Sequence, residues 1–477
     1  MNTKFWTSAN LINGKRIRSA ETIDIRDKYT GEIIDTAPLA GEDQMEEAVR
    51  AAGKAFEQFR YSSAEKRAGI LQALYDGIKK RQDDLAVLIA REAGKPIGYA
   101  RNEVVRALDN IATGIRETLN FTGETVPMDY LNGKGRTAYT VRVPYGPVLG
   151  ISPFNFPLNL ALHKIIPAVG TGSPVIIKPA PQTPLTMFAL ADIIEEAGIT
   201  PGIIQVVLTG NETAEKAVRD PRFGIFSFTG SDRVGWHLKK IAGAKKVFLE
   251  MGGNAAAVID ENDNLTRAAK KLAYGSFLYA GQICISVQRI YVHRKVFDRF
   301  TELFLQETGR IRSGNPLDEN VTNGPMISAS DLRRIDTWIK EAVAQGAKIL
   351  AGGSILDSEH NLYAPTVLTN TGFPMRVIAD ETFAPVVNIN PVDSFDEGIA
   401  LVNRSRYGLQ AAYFTDSIAN MRKAIRLTDV GGLMINEIPG FRIDSMPYGG
   451  MKDSGLGREG ARYAMREFTQ EKLIVIE

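Results

Sequence analysis

The chain has 477 residues, 44% of them hydrophobic and 23% charged, which suits about three folding units at ~150 residues each and excludes a wholly disordered or collagen-like chain. Its 57 lysines and arginines against 55 aspartates and glutamates leave a formal charge of +2. A balance that even does not draw nucleic acid or an anionic membrane by bulk charge, so any attraction for anions has to be local.

At the N-terminus, MNTKFWTSANLINGK has neither the apolar core of a signal peptide nor an Arg-rich transit pattern, and no apolar run approaches the ~18 residues of a membrane span; a cytoplasmic location is expected. LINGKRI reads as a hairpin, with Asn13 and Gly14 at the two positive-φ positions of a tight turn. Ser62-Ser63-Ala64-Glu65 reads as a capping box opening a long amphipathic helix that carries Ile70, Leu71, Leu74 and Ile78 and stops near Gly94 and Pro96. From residue 148 the β-rich runs VLGIS, PVIIK, IIQVVL, IFSFT and KVFLE alternate with helix-length segments at 183–197, 211–219 and 231–242. That rhythm predicts an α/β fold with a parallel sheet wrapped by helices, its ligand held by loops at the strand C-termini. A second alternating block spans about 254–440, with helices at 264–280 and 330–345 and apolar runs YAPTVL and PVVNI. The chain has no short-period repeat and no long Ser/Pro linker, so packed domains are expected.

Three residue types could carry chemistry. Cys284, the single cysteine, lies in YAGQICISVQRI, where Gly281 frees the backbone to turn just ahead of the sulfur; a lone buried cysteine is otherwise inert packing. Glu250, in FLEMGGN, ends an apolar strand before two glycines, where a poorly solvated carboxylate has its pKa raised; the plainer reading is a surface glutamate. Asn155, in SPFNFP, stands among aromatics and prolines, a rigid place from which an amide can donate to an oxyanion, or simply an ordinary turn asparagine. The four histidines, His163, His237, His293 and His360, lie far apart with no partner at metal-ligand spacing, so no metal centre is expected.

Together, SPFNFP, VIIKPAPQTP, FTGSDRVG, LEMGGN, GQICISVQR, DETFAPV and PYGGMKDSGLGREG occur in an order and at spacings that resemble the aldehyde dehydrogenase superfamily over nearly the whole chain. The resemblance implies two doubly wound parallel-sheet domains, a Rossmann-like dinucleotide domain over 1–123 and 146–252 and a catalytic domain over 253–445. It also implies a small β oligomerisation projection from 124–145 and 462–477, pairing copies into a homodimer or homotetramer. In the family's scheme Cys284 is the nucleophile and Glu250 the general base, while Asn155 and the Cys284 backbone N–H form the oxyanion site. NAD or NADP is the implied cofactor, held by Ser152, Phe154, Lys178, Pro181, Gly230, Ser231, Glu381 and Phe383. Gly230 and Gly235 do not match GxGxxG, and close helix packing explains them equally well. Pro181 stands where NAD-restricted relatives carry a glutamate that repels a 2′-phosphate, so NADP is expected to be accepted. Arg106 and Arg442 resemble arginines that relatives point at an anionic substrate. The expected substrate is a short hydroxyaldehyde or a small acid semialdehyde, with lactaldehyde, glyceraldehyde or its phosphate, and succinic semialdehyde as candidates. A CoA-acylating enzyme, a silent member of the fold and a cysteine hydrolase are the alternatives; Glu250, the intact residue set and the scarcity of histidines weigh against them in turn.

Overall fold

A computed structural model of the chain describes residues 5–261 and 264–477. Two sheets of mainly parallel strands organise it. The first runs from edge to edge as Lys15–Ile17, Asn10–Ile12, Ile204–Val206, Val175–Lys178, Val148–Ile151, Ile225–Thr229, Lys246–Glu250 and Gly455–Leu456. Its five central strands are parallel, and the flanking strands are antiparallel. The second runs as Lys348–Ala351, Thr366–Thr369, Val386–Val392, Val287–His293, Ala255–Ile259, Gln410–Phe414 and Gly432–Ile435, antiparallel only at its first pair.

The side-chain alternation of a strand explains why each sheet is covered on both faces. In the first, Val148, Val175, Ile177 and Ile225 pack into one core with Leu162, Ile165 and Phe188, whereas Leu149, Ile176, Phe226 and Phe228 enter another with Met45, Val49 and Leu238. In the second, Ala257, Ile290, Ala412 and Phe414 point to one side and Val258, Tyr291, Ala411 and Tyr413 to the other. Each buried Leu, Ile or Phe contributes about 1.5–3 kcal/mol, and strands buried on both faces read as the continuous apolar runs seen in the sequence. The fold is α/β with two doubly wound sheets.

A third, antiparallel sheet joins Thr469–Ile476, Thr137–Pro144 and Thr125–Val126, with an unbroken register from Thr469 opposite Pro144 to Ile476 opposite Thr137. Its last strand begins only at Thr469. The preceding helix Ala461–Glu467 packs on the helix Asn159–Thr171, and Ala461 and Phe468 lie in the core of the first sheet.

Local signals hold with two corrections. Asn13 (φ 50°) and Gly14 (φ 73°) make the expected hairpin turn. The cap is Ser63, whose hydroxyl accepts from the Lys66 N–H, while the Ser62 hydroxyl donates to the Phe59 carbonyl. Glu65 then falls one residue short of the position that closes a capping box, and no box forms. The long helix is two, Ala64–Lys80 and Gln82–Ala93, broken at Arg81 (φ −114°) and closed by a left-handed Gly94 (φ 67°). Among the described residues no helix is long and apolar enough to cross a membrane.

Candidate active site

The two sheets meet edge to edge. Glu250 ends the strand Lys246–Glu250 of the first, and after Gly252 and Gly253 the strand Ala255–Ile259 begins the second. Cys284 and Glu381 come from the opposite direction, each just ahead of a strand of the second sheet, Val287–His293 and Val386–Val392. The site therefore lies between the C-terminal end of the strand Lys246–Glu250 in one sheet and the N-terminal ends of strands in the other.

Glycines set the close approach. A Cβ on Gly253 would come within 2.2 Å of the Cys284 carbonyl oxygen, and one on Gly252 within 2.5 Å of a Glu381 carboxylate oxygen. Upstream of the sulfur, the helix Leu265–Phe277 ends sooner than the sequence pattern suggests, and Tyr279 (φ 52°), Ala280 (φ 52°) and Gly281 (φ 66°) turn the chain through left-handed backbone. For the two non-glycine residues this costs about 1–3 kcal/mol each. The surroundings hold the turn: the Tyr279 hydroxyl donates to the Ala93 carbonyl at 2.9 Å, the Gln282 amide donates to the Pro325 carbonyl at 3.2 Å, and its oxygen accepts from the Ile327 N–H at 2.8 Å.

Cys284 opens onto a cavity of about 270 Å³ whose walls include Lys95, Arg106, Phe156, Phe441, Arg442 and Tyr448. Its sulfur lies 2.9 Å from the Tyr448 hydroxyl. Burial pushes the thiol up to about 12, against the pull of the Tyr448 hydrogen bond. Asn155 is buried and donates to the Gln282 carbonyl at 3.0 Å. A primary amide has two hydrogens, so one remains for a ligand beside the cysteine.

Glu250 is buried, with one carboxylate oxygen lacking any hydrogen-bond partner among the described residues. Burial, and then the charge of Glu459, push its carboxyl well above the ordinary range. Although burial also penalises Glu459, the charges of His163, Lys164 and Arg442 hold it below that range, with Arg442 Nη2 at 3.1 Å and Lys164 Nζ at 3.6 Å. Of this coupled pair Glu459 ionises first and Glu250 last as pH rises.

Arg106 and Arg442 both line the cavity and both already meet carboxylates. Arg106 pairs with Asp444 (Nη2–Oδ1 2.8 Å), which is also hydrogen-bonded to His163 at 2.9 Å and Asn159 at 3.2 Å. Arg442 lies with its guanidinium carbon 3.7 Å above the centre of the Tyr448 ring, and its buried Nε, 3.7 Å from Asp444 Oδ1, has no hydrogen-bond partner among the described residues. Lys164, Asp444, Tyr448 and Glu459 were not singled out from the sequence. Tyr448 and Glu459 lie inside PYGGMKDSGLGREG, Asp444 is two places from Arg442, and Lys164 is one turn inside the helix that follows SPFNFP.

A second cavity, of about 460 Å³, lies at the C-terminal edge of the first sheet between the helices Asn211–Arg219 and Asp232–Ile241, lined in part by Lys178, Glu215, Phe228, Arg233 and His237. Lys178 is 5% exposed and pairs with no carboxylate among the described residues; burial alone pulls its ammonium down to about 8. A buried cation with no countercharge fits an anionic or hydroxyl-rich ligand. Glu215, the carboxylate in this wall, is tied to His237 at 3.1 Å and Arg219 at 3.5 Å. Ser231 caps the helix Asp232–Ile241 without using its hydroxyl, so backbone donors and the positive helix end face the groove. Gly230 and Gly235 fit close packing, since a Cβ would meet the Phe228 ring at 2.5 Å and the Met251 sulfur at 2.4 Å. The Ser152 N–H donates to the Lys178 carbonyl at 3.1 Å, and its buried hydroxyl lacks a partner among the described residues. Pro181 is exposed. Phe154 and Phe383 meet edge to face at 5.8 Å, and Glu381, pushed up to about 8 by burial, accepts from the Gly253 N–H at 2.8 Å.

These features can be set beside known proteins. The chain is 41% identical over 468 residues, 98% of its length and 97% of the relative's, to a 3-sulfolactaldehyde dehydrogenase of Priestia megaterium. It is 36% identical over 98% of its length and 99% of the relative's to a lactaldehyde dehydrogenase of Methanocaldococcus jannaschii. The crystal structure of the glyceraldehyde-3-phosphate dehydrogenase GapN from the same organism, complexed with NADP, superposes with a TM-score of 0.91 at 36% identity, covering 95% of this chain and 98% of that one. The profile of the aldehyde dehydrogenase family matches residues 16–474. With its doubly wound sheets and a match over nearly the full length, the chain belongs to the aldehyde dehydrogenase family.

Proposed function

We propose that the protein oxidises a short aldehyde of about three or four carbons, bearing an anionic group, to the carboxylic acid with NAD or NADP as oxidant. The observation that carries the substrate class is the Cys284 cavity, whose walls hold the two guanidinium side chains Arg106 and Arg442. Relatives named for sulfolactaldehyde and glyceraldehyde 3-phosphate support the reading.

In this mechanism the Cys284 thiol gives its proton to water entering the cavity as sulfur bonds to the aldehyde carbon and the carbonyl π pair moves to oxygen. The Asn155 amide and the Cys284 backbone N–H donate to that oxyanion, the place where charge develops. When bound, the dinucleotide supplies the acceptor for the hydride that leaves the carbon, so that a thioester remains on Cys284. Glu250 then takes a proton from the water that adds to the thioester carbonyl, the C–S bond breaks, and the acid departs. The raised pKa makes the ionised form of Glu250, the form this step requires, a stronger base than an ordinary carboxylate, and its buried unpartnered oxygen suits that water. Lys178, Ser231, Ser152 and Glu381 are the residues that would hold the dinucleotide, with Phe154 and Phe383 closing on it.

The division into a dinucleotide unit, a catalytic unit and a pairing projection belongs to the same proposal. The edge strand Thr469–Ile476 exposes Leu473, Val475 and Ile476, and an unpaired apolar edge invites a second copy. Light scattering should return a dimer or tetramer. A reduced cysteine at the reaction centre suits the cytoplasm.

The test is turnover of 3-sulfolactaldehyde, glyceraldehyde 3-phosphate, succinic semialdehyde and lactaldehyde with each dinucleotide, followed by absorbance of the reduced nicotinamide. Anionic members should show the higher kcat/KM. A preference for long neutral aldehydes would overturn the substrate class.

A further inference from the structure

We infer that Tyr448 is a positioning residue for Cys284: its hydroxyl fixes the sulfur beside the cavity and donates to the thiolate that forms as the thiol gives up its proton. The inference rests on the reading of Cys284 as nucleophile. Three contacts pin Tyr448 in place. Its backbone exchanges hydrogen bonds with Glu459, N–H to carbonyl at 3.2 Å and the reverse at 2.6 Å. The Arg442 guanidinium covers its ring at 3.7 Å, and its hydroxyl reaches Cys284 Sγ at 2.9 Å. Ile285 and Leu409 pack beside it in one small apolar cluster. Tyr448 is buried and Cys284 half-buried, so water reaches the sulfur only from the cavity side.

The direction of the hydrogen bond follows from chemistry. A thiolate has no proton and can only accept, and burial pushes the phenol of Tyr448 well above its ordinary range, so the phenol keeps its hydrogen. The charged groups facing the sulfur are Glu381, Arg442 and Glu250. The two carboxylates, where ionised, oppose a thiolate and the guanidinium favours it. After burial, the Tyr448 hydrogen bond is the largest influence on the thiol and the largest acting in its favour. With Arg442 over its ring, the phenol is a better donor than a tyrosine in an apolar wall, because a cation on the π face draws electron density from the hydroxyl.

The test uses the full-length enzyme and the fact that Cys284 is the only cysteine, so iodoacetamide alkylation reports it alone. Tyr448→Phe removes one oxygen and keeps the ring. The pH midpoint of alkylation should rise by about one unit, as loss of a hydrogen bond to a charged acceptor implies, while kcat falls about tenfold with KM little changed. Incorporating 3-fluorotyrosine at 448, a stronger donor of nearly the same shape, should move the midpoint down and keeps the question answerable if the phenylalanine variant folds poorly. An unchanged or lowered midpoint in Tyr448→Phe, or an unchanged one with 3-fluorotyrosine, overturns the inference. Failure of the underlying reading looks different: Cys284→Ala would keep its dehydrogenase turnover, whatever the alkylation midpoint of the tyrosine variants.

Discussion

The Arg106 guanidinium grips Asp444 through two hydrogen bonds, Nη2 to Oδ1 at 2.8 Å and Nε to Oδ2 at 3.0 Å. Arg106 thus reaches the cavity with its charge partly answered. Burial opposes an ionised Asp444, yet the His163 hydrogen bond and the charges of His163, Arg106 and Arg442 win and hold its carboxyl far below the usual range. A substrate anion held there would share Arg106 with Asp444, and the contact would be worth a modest amount. Arg106→Ala should raise KM for an anionic aldehyde about tenfold, a loss of ~1.4 kcal/mol, and barely change it for lactaldehyde. Steady-state kinetics on the two substrates check this; equal rises would remove Arg106 from substrate recognition.

Cys284 and Glu250 should separate in a single turnover. Cys284→Ala is expected to abolish dehydrogenation while dinucleotide still binds, since the 460 Å³ cavity that holds Lys178 is not touched. Glu250→Gln should give a stoichiometric burst of reduced nicotinamide and then turn over slowly, because acylation does not need the base that deacylation does. Rapid mixing resolves the two phases. A Glu250→Gln enzyme with no burst would assign the carboxylate to the first half of the reaction instead.

The strands were legible because a parallel strand buried on both faces has to be apolar at every position: VLGIS, PVIIK, IFSFT and KVFLE became Val148–Ile151, Val175–Lys178, Ile225–Thr229 and Lys246–Glu250. Asn155 and Glu250 could be placed next to such strand ends from the pattern, whereas Lys178 was singled out only by the resemblance. The break at Arg81 could not, since the apolar stripe continues from Ile78 to Leu85 and nothing in residue type marks the kink. Nor could Tyr448 against Cys284 or Asp444 against His163, whose partners lie 164 and 281 positions apart. Such pairs are set by how the two sheets dock, and a charge or hydroxyl in a glycine-rich loop carries no period that betrays its partner. The two-residue strand Gly455–Leu456 on the first sheet's edge is too short to have one either.

Gly253 should tolerate no side chain. A Cβ there would lie 2.2 Å from the Cys284 carbonyl oxygen, a backbone atom that cannot swing aside as a flexible side chain does. Gly253→Ala is expected to cost about 1–3 kcal/mol of stability and to lower kcat at least tenfold by moving the sulfur relative to Asn155. Urea unfolding and steady-state kinetics measure the two effects. Wild-type kcat in this variant would mean that the cysteine loop adapts without loss.

If Lys178 holds the dinucleotide, the choice between NADP and NAD should depend on pH. Burial lowers its ammonium from 10.5 to about 8, so the free enzyme loses this charge as pH rises through about 8. A 2′-phosphate held by Lys178 favours the charged form and raises the pKa in the complex. Between about 8 and that higher value, binding of NADP takes up a proton, and KM for NADP should climb by as much as about tenfold per pH unit. NAD presents hydroxyls there and should respond less, and Pro181 adds no carboxylate to repel the phosphate. Folding runs the other way. The unfolded lysine holds its proton up to about 10.5, so from about pH 8 to that value the unfolded chain binds more protons and stability rises with pH; below about 8 the buried charge exerts its full destabilising effect. Lys178→Met, similar in volume and uncharged, should therefore raise the Tm of the free enzyme at neutral pH while weakening NADP more than NAD. A Tm that falls on this substitution, or a KM for NADP that stays flat from about pH 7 to 9.5, would remove Lys178 as the group that reads the phosphate.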